Sequence, residues 1–327
     1  MYSKIKFLLE AAVILGLSVG LLYYVKPDSK SVVSNENAVS KILELENRPG
    51  SAEHDGVPGA KGLTIYKPEM VDPGFVMLPL SGNAKVELRS LDGKLVHTWN
   101  VDAPRARILE DCRLLTLHGT KWGVEVQPWK GMRRKAHEYD WDGNIIWEVS
   151  MPGNAHHDIR RLENGNTLLV HRVLVPPSYK QKVIDPVRRK LPLRSDAIVE
   201  ISPEGKKVWQ WLMHEHVDVN SCGRQSCEEN NKTARLGKQR IDWTHINTAS
   251  VVPENHWYDE GHKAFKPGNI VTIPRNWWTI FVVDRESKEI VWDYTGDYEG
   301  GLQRGHEAYM IPKGYPGAGN ILVLDNG

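Results

Sequence analysis

The sequence predicts an all-β molecule, a β-propeller, carried on one N-terminal transmembrane helix. Three observations predict it: a strand–turn–strand unit built on Gly-Asn recurs, a Trp-ended hairpin alternates with it, and the chain opens on a long apolar run. The first unit reads "RRLENGNTLLV" at 160–170, "KPGNIVTI" at 266–273 and "GAGNILVL" at 317–324. "RILEDCRLLTL" at 107–117 has the same shape, with Cys112-Arg113 where Gly-Asn would stand. The second unit reads "VELRSLDGKLVHTW" (86–99), "HEYDWDGNIIWEV" (137–149), "AIVEISPEGKKVWQW" (197–211) and "IFVVDRESKEIVWDY" (280–294). Each pairs two short alternating runs across an acidic or glycine turn, the pattern of a β-hairpin. One copy of each unit makes about a four-stranded sheet, and repeated four-stranded sheets closed in a ring make a propeller. The terminal Trp residues are expected to pack between neighbouring sheets. An open sandwich is the competing architecture, and the regular recurrence disfavours it.

The domain organisation follows from the start of the chain. Residues 1–6 are read as a cytoplasmic N-terminus and 7–25, "FLLEAAVILGLSVGLLYYV", as a transmembrane signal anchor. Its length suits the bilayer core. Lys4 and Lys6 precede it, which places the remainder outside the cytoplasm, periplasmic or extracellular. No A-x-A site follows, which favours an uncleaved anchor. Residues 26–61 are polar and rich in Gly, Ser and Pro, a flexible stalk with a short helix at "AVSKILELE". The propeller domain is expected over 62–327. The chain stops after a first unit with no Trp hairpin, so the domain is read as C-terminally truncated.

Composition bounds the chemistry. Charged residues are 25% of the chain and the net charge is +1, with no basic excess for nucleic acid. Trp (12) and Tyr (11) far outnumber Phe (4), which suits half-buried sheet surfaces. Cys222 and Cys227 form a C-x4-C in a polar loop, with no second pair for a four-cysteine zinc site. They read as free thiols or, in an oxidising compartment, as a small disulfide. There is no G-x-G-x-x-G, Walker or G-x-S-x-G pattern, and no cofactor is expected. Asn231-Lys232-Thr233 matches a glycosylation sequon, relevant only in a eukaryotic secretory pathway.

Histidines carry the functional signal. His157, His245 and His306 each open the strand that precedes a turn and an apolar strand, one shared position in the repeat. Equivalent positions in a propeller surround its axis, so the three imidazoles are expected to converge. Arg275 follows the strand "GNIVTIP", and Asn247 lies two residues past His245 on the same strand face. Imidazole is a competent nucleophile, and cations beside it suit an oxyanion such as sulfate or phosphate. Polar rungs between blades are the bland alternative. Three histidines also suit a metal, but Arg275 beside them argues against one, and no metal is expected there. A separate cluster, "HEHVD", would put His214, His216 and Asp218 on one strand face, where a metal-dependent hydrolase or lyase could hold its ion.

These motifs resemble the arylsulfotransferase family, the aryl-sulfate sulfotransferases of the bacterial periplasm and their relatives. The similarity begins near Gly62, in "GLTIYKPEMVDPGFVMLPLSGNAKVELRSLDGKLVHTW". "HHDIRRLENGNTLLV", "DWTHINTASVVPE" and "GHEAYMIP…GNILVLDNG" resemble the three histidine motifs in order. The resemblance implies a six-bladed propeller that moves a sulfuryl group from a phenolic sulfate ester to a phenolic acceptor, with no nucleotide sulfate donor. It implies that His306 is the nucleophile and carries the sulfuryl group. It implies oxyanion binding by His157, His245, Asn247 and Arg275, with His156 a lesser contact. Glu307 stands where the family more often has Asp. The alternative of a different class is a non-catalytic extracytoplasmic propeller that binds a small anion or a partner protein.

Overall fold

The structure, a computed structural model, describes residues 67–118, 127–235 and 240–327. The expected anchor, stalk and "AVSKILELE" helix lie outside the described residues. No helix among the described residues is long and apolar enough to cross a membrane.

Five antiparallel sheets follow one another along the chain. The first holds β1 (Phe75–Leu80), β2 (Lys85–Ser90) and β3 (Leu95–Trp99). The second holds β4 (Arg105–Ile108), β5 (Leu114–Leu117), β6 (Lys135–Tyr139) and β7 (Ile145–Ser150). The third holds β8 (Ala155–Arg161), β9 (Thr167–Leu174), β10 (Leu193–Ile201) and β11 (Lys207–Leu212), with β12 (Ile241–Asp242) parallel to β10. The fourth holds β13 (Ile246–Val251), β14 (Ile270–Pro274), β15 (Ile280–Val283) and β16 (Ile290–Tyr294). β17 (His306–Met310) and β18 (Ile321–Leu324) pair as the fifth.

The two predicted units map onto these sheets. The first is the turn between the first and second strands, the second the turn between the third and fourth, or between the last two strands in the three-stranded first sheet. Each turn needs a residue in the left-handed region, where L side chains are strained and glycine is not. Gly165 (φ 81°), Gly268 (φ 96°) and Gly319 (φ 89°) supply it in first units, and Cys112 (φ 63°) takes the place of glycine in the β4–β5 turn. Gly93, Gly143 and Gly205 do so in second units, and Lys288 (φ 65°) in the fourth.

The hydrophobic clusters lie between consecutive sheets. One joins Leu115, Leu117 and Val149 to Ile159, Leu169 and Val199. The next joins Leu168, Ile198 and Trp211 to Ile246, Ile270 and Phe281. The terminal Trp residues do pack there, and with a shared polar contact. Trp99 Nε1 donates to the Asp140 carbonyl at 3.0 Å, and Trp147 Nε1 to that of Pro203 at 2.8 Å. Trp209 and Trp211 donate to the carbonyls of Arg285 and Lys288, both at 2.9 Å. Each carbonyl belongs to the outer turn of the next sheet. An indole there buries its ring and satisfies its N–H together.

One sequence expectation is corrected. "HEHVD" is not a strand: Met213–His216 form a helical turn. His214 is buried edge-on to Tyr179, and His216 stacks on Trp211, so their imidazoles serve packing. The described residues contain no group of three or more His, Cys, Asp or Glu that could hold a metal ion. The sequon asparagine Asn231 is buried in the helix Cys227–Arg235, and its amide donates to Asp185 at 3.1 Å. Cys222 and Cys227 are joined in a disulfide, Cα to Cα 5.2 Å.

Candidate functional site

The first strands β4, β8, β13 and β17 lie side by side across successive sheets. Three of them carry the histidine motifs, and each is irregular at the motif. β8 spends four steps between its pairs with His171 and Leu169, two residues apart on β9. β13 spends three between its pairs with Pro274 and Thr272, and β17 three between its pairs with Leu324 and Leu322. Such bulges bend a strand and re-aim its side chains. Three non-glycine residues at or beside them are left-handed: His157 (φ 63°), His245 (φ 57°) and Glu307 (φ 52°).

The bulges bring the imidazoles together. Ring centres are 4.8 Å apart for His157 and His245, 6.4 Å for His157 and His306, and 4.9 Å for His156 and His157. The expected convergence is therefore present, but not through one shared register. Counted back from the paired residues Ile159, Ala249 and Tyr309, His157 matches Asn247 and Glu307.

Each histidine is held through an inward nitrogen. His306 Nδ1 lies 2.9 Å from the Arg304 carbonyl and 3.0 Å from Asn326 Oδ1. Both partners are acceptors, so Nδ1 carries the proton and Nε2 keeps its lone pair. His245 Nδ1 donates to Asp242 at 2.5 Å. His156 Nε2 lies 2.9 Å from Asp196, and its Nδ1 lies 2.6 Å from His157 Nδ1.

Asn247 and Arg275 are close by in different ways. Asn247 is buried, and its amide donates to the Gly305 carbonyl at 2.9 Å, so it braces the residue before His306. The Arg275 backbone N–H donates to the His245 carbonyl at 3.0 Å, and its guanidinium is held by Asn276 at 3.0 Å. Arg275 borders a cavity of about 240 Å³, shared with Arg304, Asn276, Trp278, Asn230, Gln225, Glu229 and Lys232.

Burial sets the charge state of the site. It pushes His157 well below the ordinary histidine value, and His245, His156, Arg172 and His306 push it further. Burial also lowers His306, and Arg275 adds to the effect against Asn326. His156 is lowered by burial, against the pull of Asp196. At neutral pH these three imidazoles are uncharged. The positive charge comes instead from arginines around them. Arg172 acts on His156, His157 and Asp242, and Arg304 on Arg275. Uncharged nucleophilic nitrogen beside fixed cations is an arrangement for an anionic electrophile.

Sequence reading did not find Arg172, Arg304, Asp196, Asp242 or Asn326. Asp196 and Arg172 face each other across β9 and β10, far in sequence from the histidines they act on. Asp242 did carry a signal, since it lies three residues before His245 in "DWTH".

Comparison with known proteins supports the same reading. The family model described as Arylsulfotransferase (ASST) matches residues 91–300, well over half of the chain. No curated protein matches. Among solved structures, the chain is similar to a protein of unknown function from Bacteroides caccae, at 13% identity and a TM-score of 0.35, covering 74% of this chain and 69% of that one. It is also similar to the Kuenenia stuttgartiensis hydrazine synthase, at 10% identity and a TM-score of 0.38, covering 65% of this chain and 49% of that one. The matched span takes in two of the three histidine motifs and ends six residues before His306, and on that match the chain belongs to the arylsulfotransferase family.

Proposed function

We propose that the protein transfers a sulfuryl group from a phenolic sulfate ester to a phenolic acceptor, with His306 as the nucleophile. The observation that carries this reading is the His306 hydrogen bonding. With Nδ1–H tied to Arg304 and Asn326, the Nε2 lone pair is fixed on the nitrogen free to attack. Nε2 attacks sulfur, the sulfur–oxygen bond to the aryl group breaks, and its electron pair leaves on the phenolate. The acceptor phenol then takes the group from the sulfohistidine. Arg275 and Arg304 neutralise the sulfuryl oxygens, and Asp242 fixes the His245 ring beside them. The cavity beside Arg275 suits one aromatic ring against Trp278. No nucleotide donor is needed, because the ester already carries an activated leaving group.

The fold reading belongs to the same proposal. Sheets stacked in chain order, with first strands adjacent and tryptophans seated on the next sheet, support a propeller whose inner strands present the histidines. An extracytoplasmic location behind the N-terminal anchor agrees with the Cys222–Cys227 disulfide.

The test is release of 4-nitrophenol from 4-nitrophenyl sulfate with phenol as acceptor. The expected result is transfer by the native protein and a loss of at least about 10³-fold in His306→Ala, with sulfate-ester binding retained. Binding without transfer by the native protein would replace this reading with a non-catalytic anion-binding module.

A further inference from the structure

Asp196, His156 and His157 form a chain whose proton order follows from its contacts. Asp196 Oδ1 accepts from His156 Nε2 at 2.9 Å. Asp196 Oδ2 accepts from Thr244 Oγ1 at 2.6 Å and from the Ile246 N–H at 2.8 Å. The carboxylate is thus fixed by β13 and by the residue before His245, and it is buried. With its Nε2–H given to Asp196, uncharged His156 has a lone pair at Nδ1. His157 Nδ1, 2.6 Å away, must then be the donor. His157 Nε2 is left as a lone pair, on a ring whose centre lies 4.8 Å from that of His245 and 6.4 Å from that of His306.

We propose that Asp196 and His156 are positioning residues that make His157 the general base toward the acceptor phenol. This rests on the sulfuryl-transfer reading above and assigns the acid–base partner of that site. In the second half-reaction the phenol O–H bond breaks and its proton goes to His157 Nε2. The phenol oxygen bonds to sulfur as the bond from sulfur to His306 Nε2 breaks, and that electron pair returns to the imidazole. The imidazolium at His157 is stabilised through His156 by the Asp196 charge. His157 then returns the proton to the phenolate that leaves the next donor. Without the carboxylate, nothing prevents His156 from reversing its tautomer, which would put the His157 proton on Nε2 and leave no base. The other charged or titratable groups around the pair are His171 and Arg172 on β9, Arg194 on β10, Asp242 on β12, His245 just after it, and His306.

The experiment uses the full chain and two readouts. Asp196→Asn keeps the size of the side chain but removes the charge and one of the two acceptor oxygens. The burst of 4-nitrophenolate from 4-nitrophenyl sulfate alone, which needs no base, is expected to stay within about threefold of the native protein. Transfer to phenol, un-ionised at neutral pH, is expected to fall about 10²-fold. Transfer to pentafluorophenol, already ionised, is expected to change less than about threefold. An equal loss in all three, or no loss with phenol, overturns the proposal while sulfuryl transfer itself stands. No burst from the native protein overturns both. Nitrogen-15 NMR of the native protein gives a second reading that needs no variant to fold. A proton on Nδ1 of His157 is expected, and one on Nε2 in the uncharged ring overturns the relay.

Discussion

At the scale of single residues, burial decides what the histidines can do. His118 shows the effect most simply. It donates from Nδ1 to the Asp102 carbonyl at 2.9 Å, and its Nε2 lies 3.3 Å from the Thr116 hydroxyl and 3.2 Å from that of Tyr139. Burial and the neighbouring His137 lower it to about 4. The folded value lies below the unfolded one, so the unfolded chain binds a proton first as pH falls. Stability from this group is complete above about pH 6.5 and is lost between there and pH 4. The loss at pH 5 is on the order of 2 kcal/mol. His137, His156, His157 and His171 are shifted the same way and add to it. Urea midpoints at pH 7 and pH 5 check this, and His118→Gln is expected to make the drop shallower. A slope unchanged in the variant would refute the assignment.

At the scale of elements, the site depends on backbone that tolerates few side chains. Gly153 opens the approach to β8, and a Cβ there would fall 1.8 Å from the Arg172 carbonyl oxygen. No rotamer relieves a clash with backbone, so Gly153→Ala is expected to cost about 2 kcal/mol or more and to displace Arg172 from the histidines. Gly143 makes the useful contrast. It sits at a turn tip with φ 88° and nothing within 4 Å of a built Cβ, so its alanine variant meets only conformational strain, about 1 kcal/mol. Equilibrium unfolding of the two variants measures the difference. Equal costs would mean that β8 and β9 can shift apart.

These elements also show what the sequence could and could not disclose. Gly-Asn turns and Trp-ended hairpins are local signals, and the strands fall where those signals place them. The meeting of His157, His245 and His306 was legible because each opens a recurring unit. The bulges were not, since an extra residue in a strand leaves no mark until its partner is known. Asp196 was invisible for a related reason: an acid inside "RSDAIVE" reads as an outward polar residue until β9 and β13 cover it. "HEHVD" misled because alternation over five residues also fits one helical turn.

At the scale of the whole molecule, one buried carboxylate joins three consecutive sheets. Asp158 Oδ1 accepts from Arg105 at 3.1 Å and Arg107 at 2.7 Å, and Oδ2 from Arg160 at 3.0 Å and the Ala249 N–H at 3.0 Å. Burial raises this carboxyl, but Arg160, Arg107 and Arg105 outweigh burial and hold it well below its usual range. Glu307 pairs with the same three arginines. Thr248 Oγ1 accepts from the Ala308 N–H at 3.3 Å and carries the chain of contacts on to β17. Removing the charge in Asp158→Asn is expected to cost about 3–5 kcal/mol, because buried cations lose their partner. Thermal melting checks it, and a variant as stable as the native protein would show that Glu307 alone suffices.

The Asp158 junction has a consequence for how the molecule comes apart. The amides of Ala249 and Ala308 are each sealed by a side chain from the sheet before, so neither can exchange with solvent by fraying its own sheet. Ala249 is released only when β8 and β13 separate, and Ala308 only when β13 and β17 do, and those strands hold or adjoin every histidine of the site. Deuterium uptake at these two amides, loss of sulfuryl transfer and loss of tryptophan order then become one event seen by three clocks.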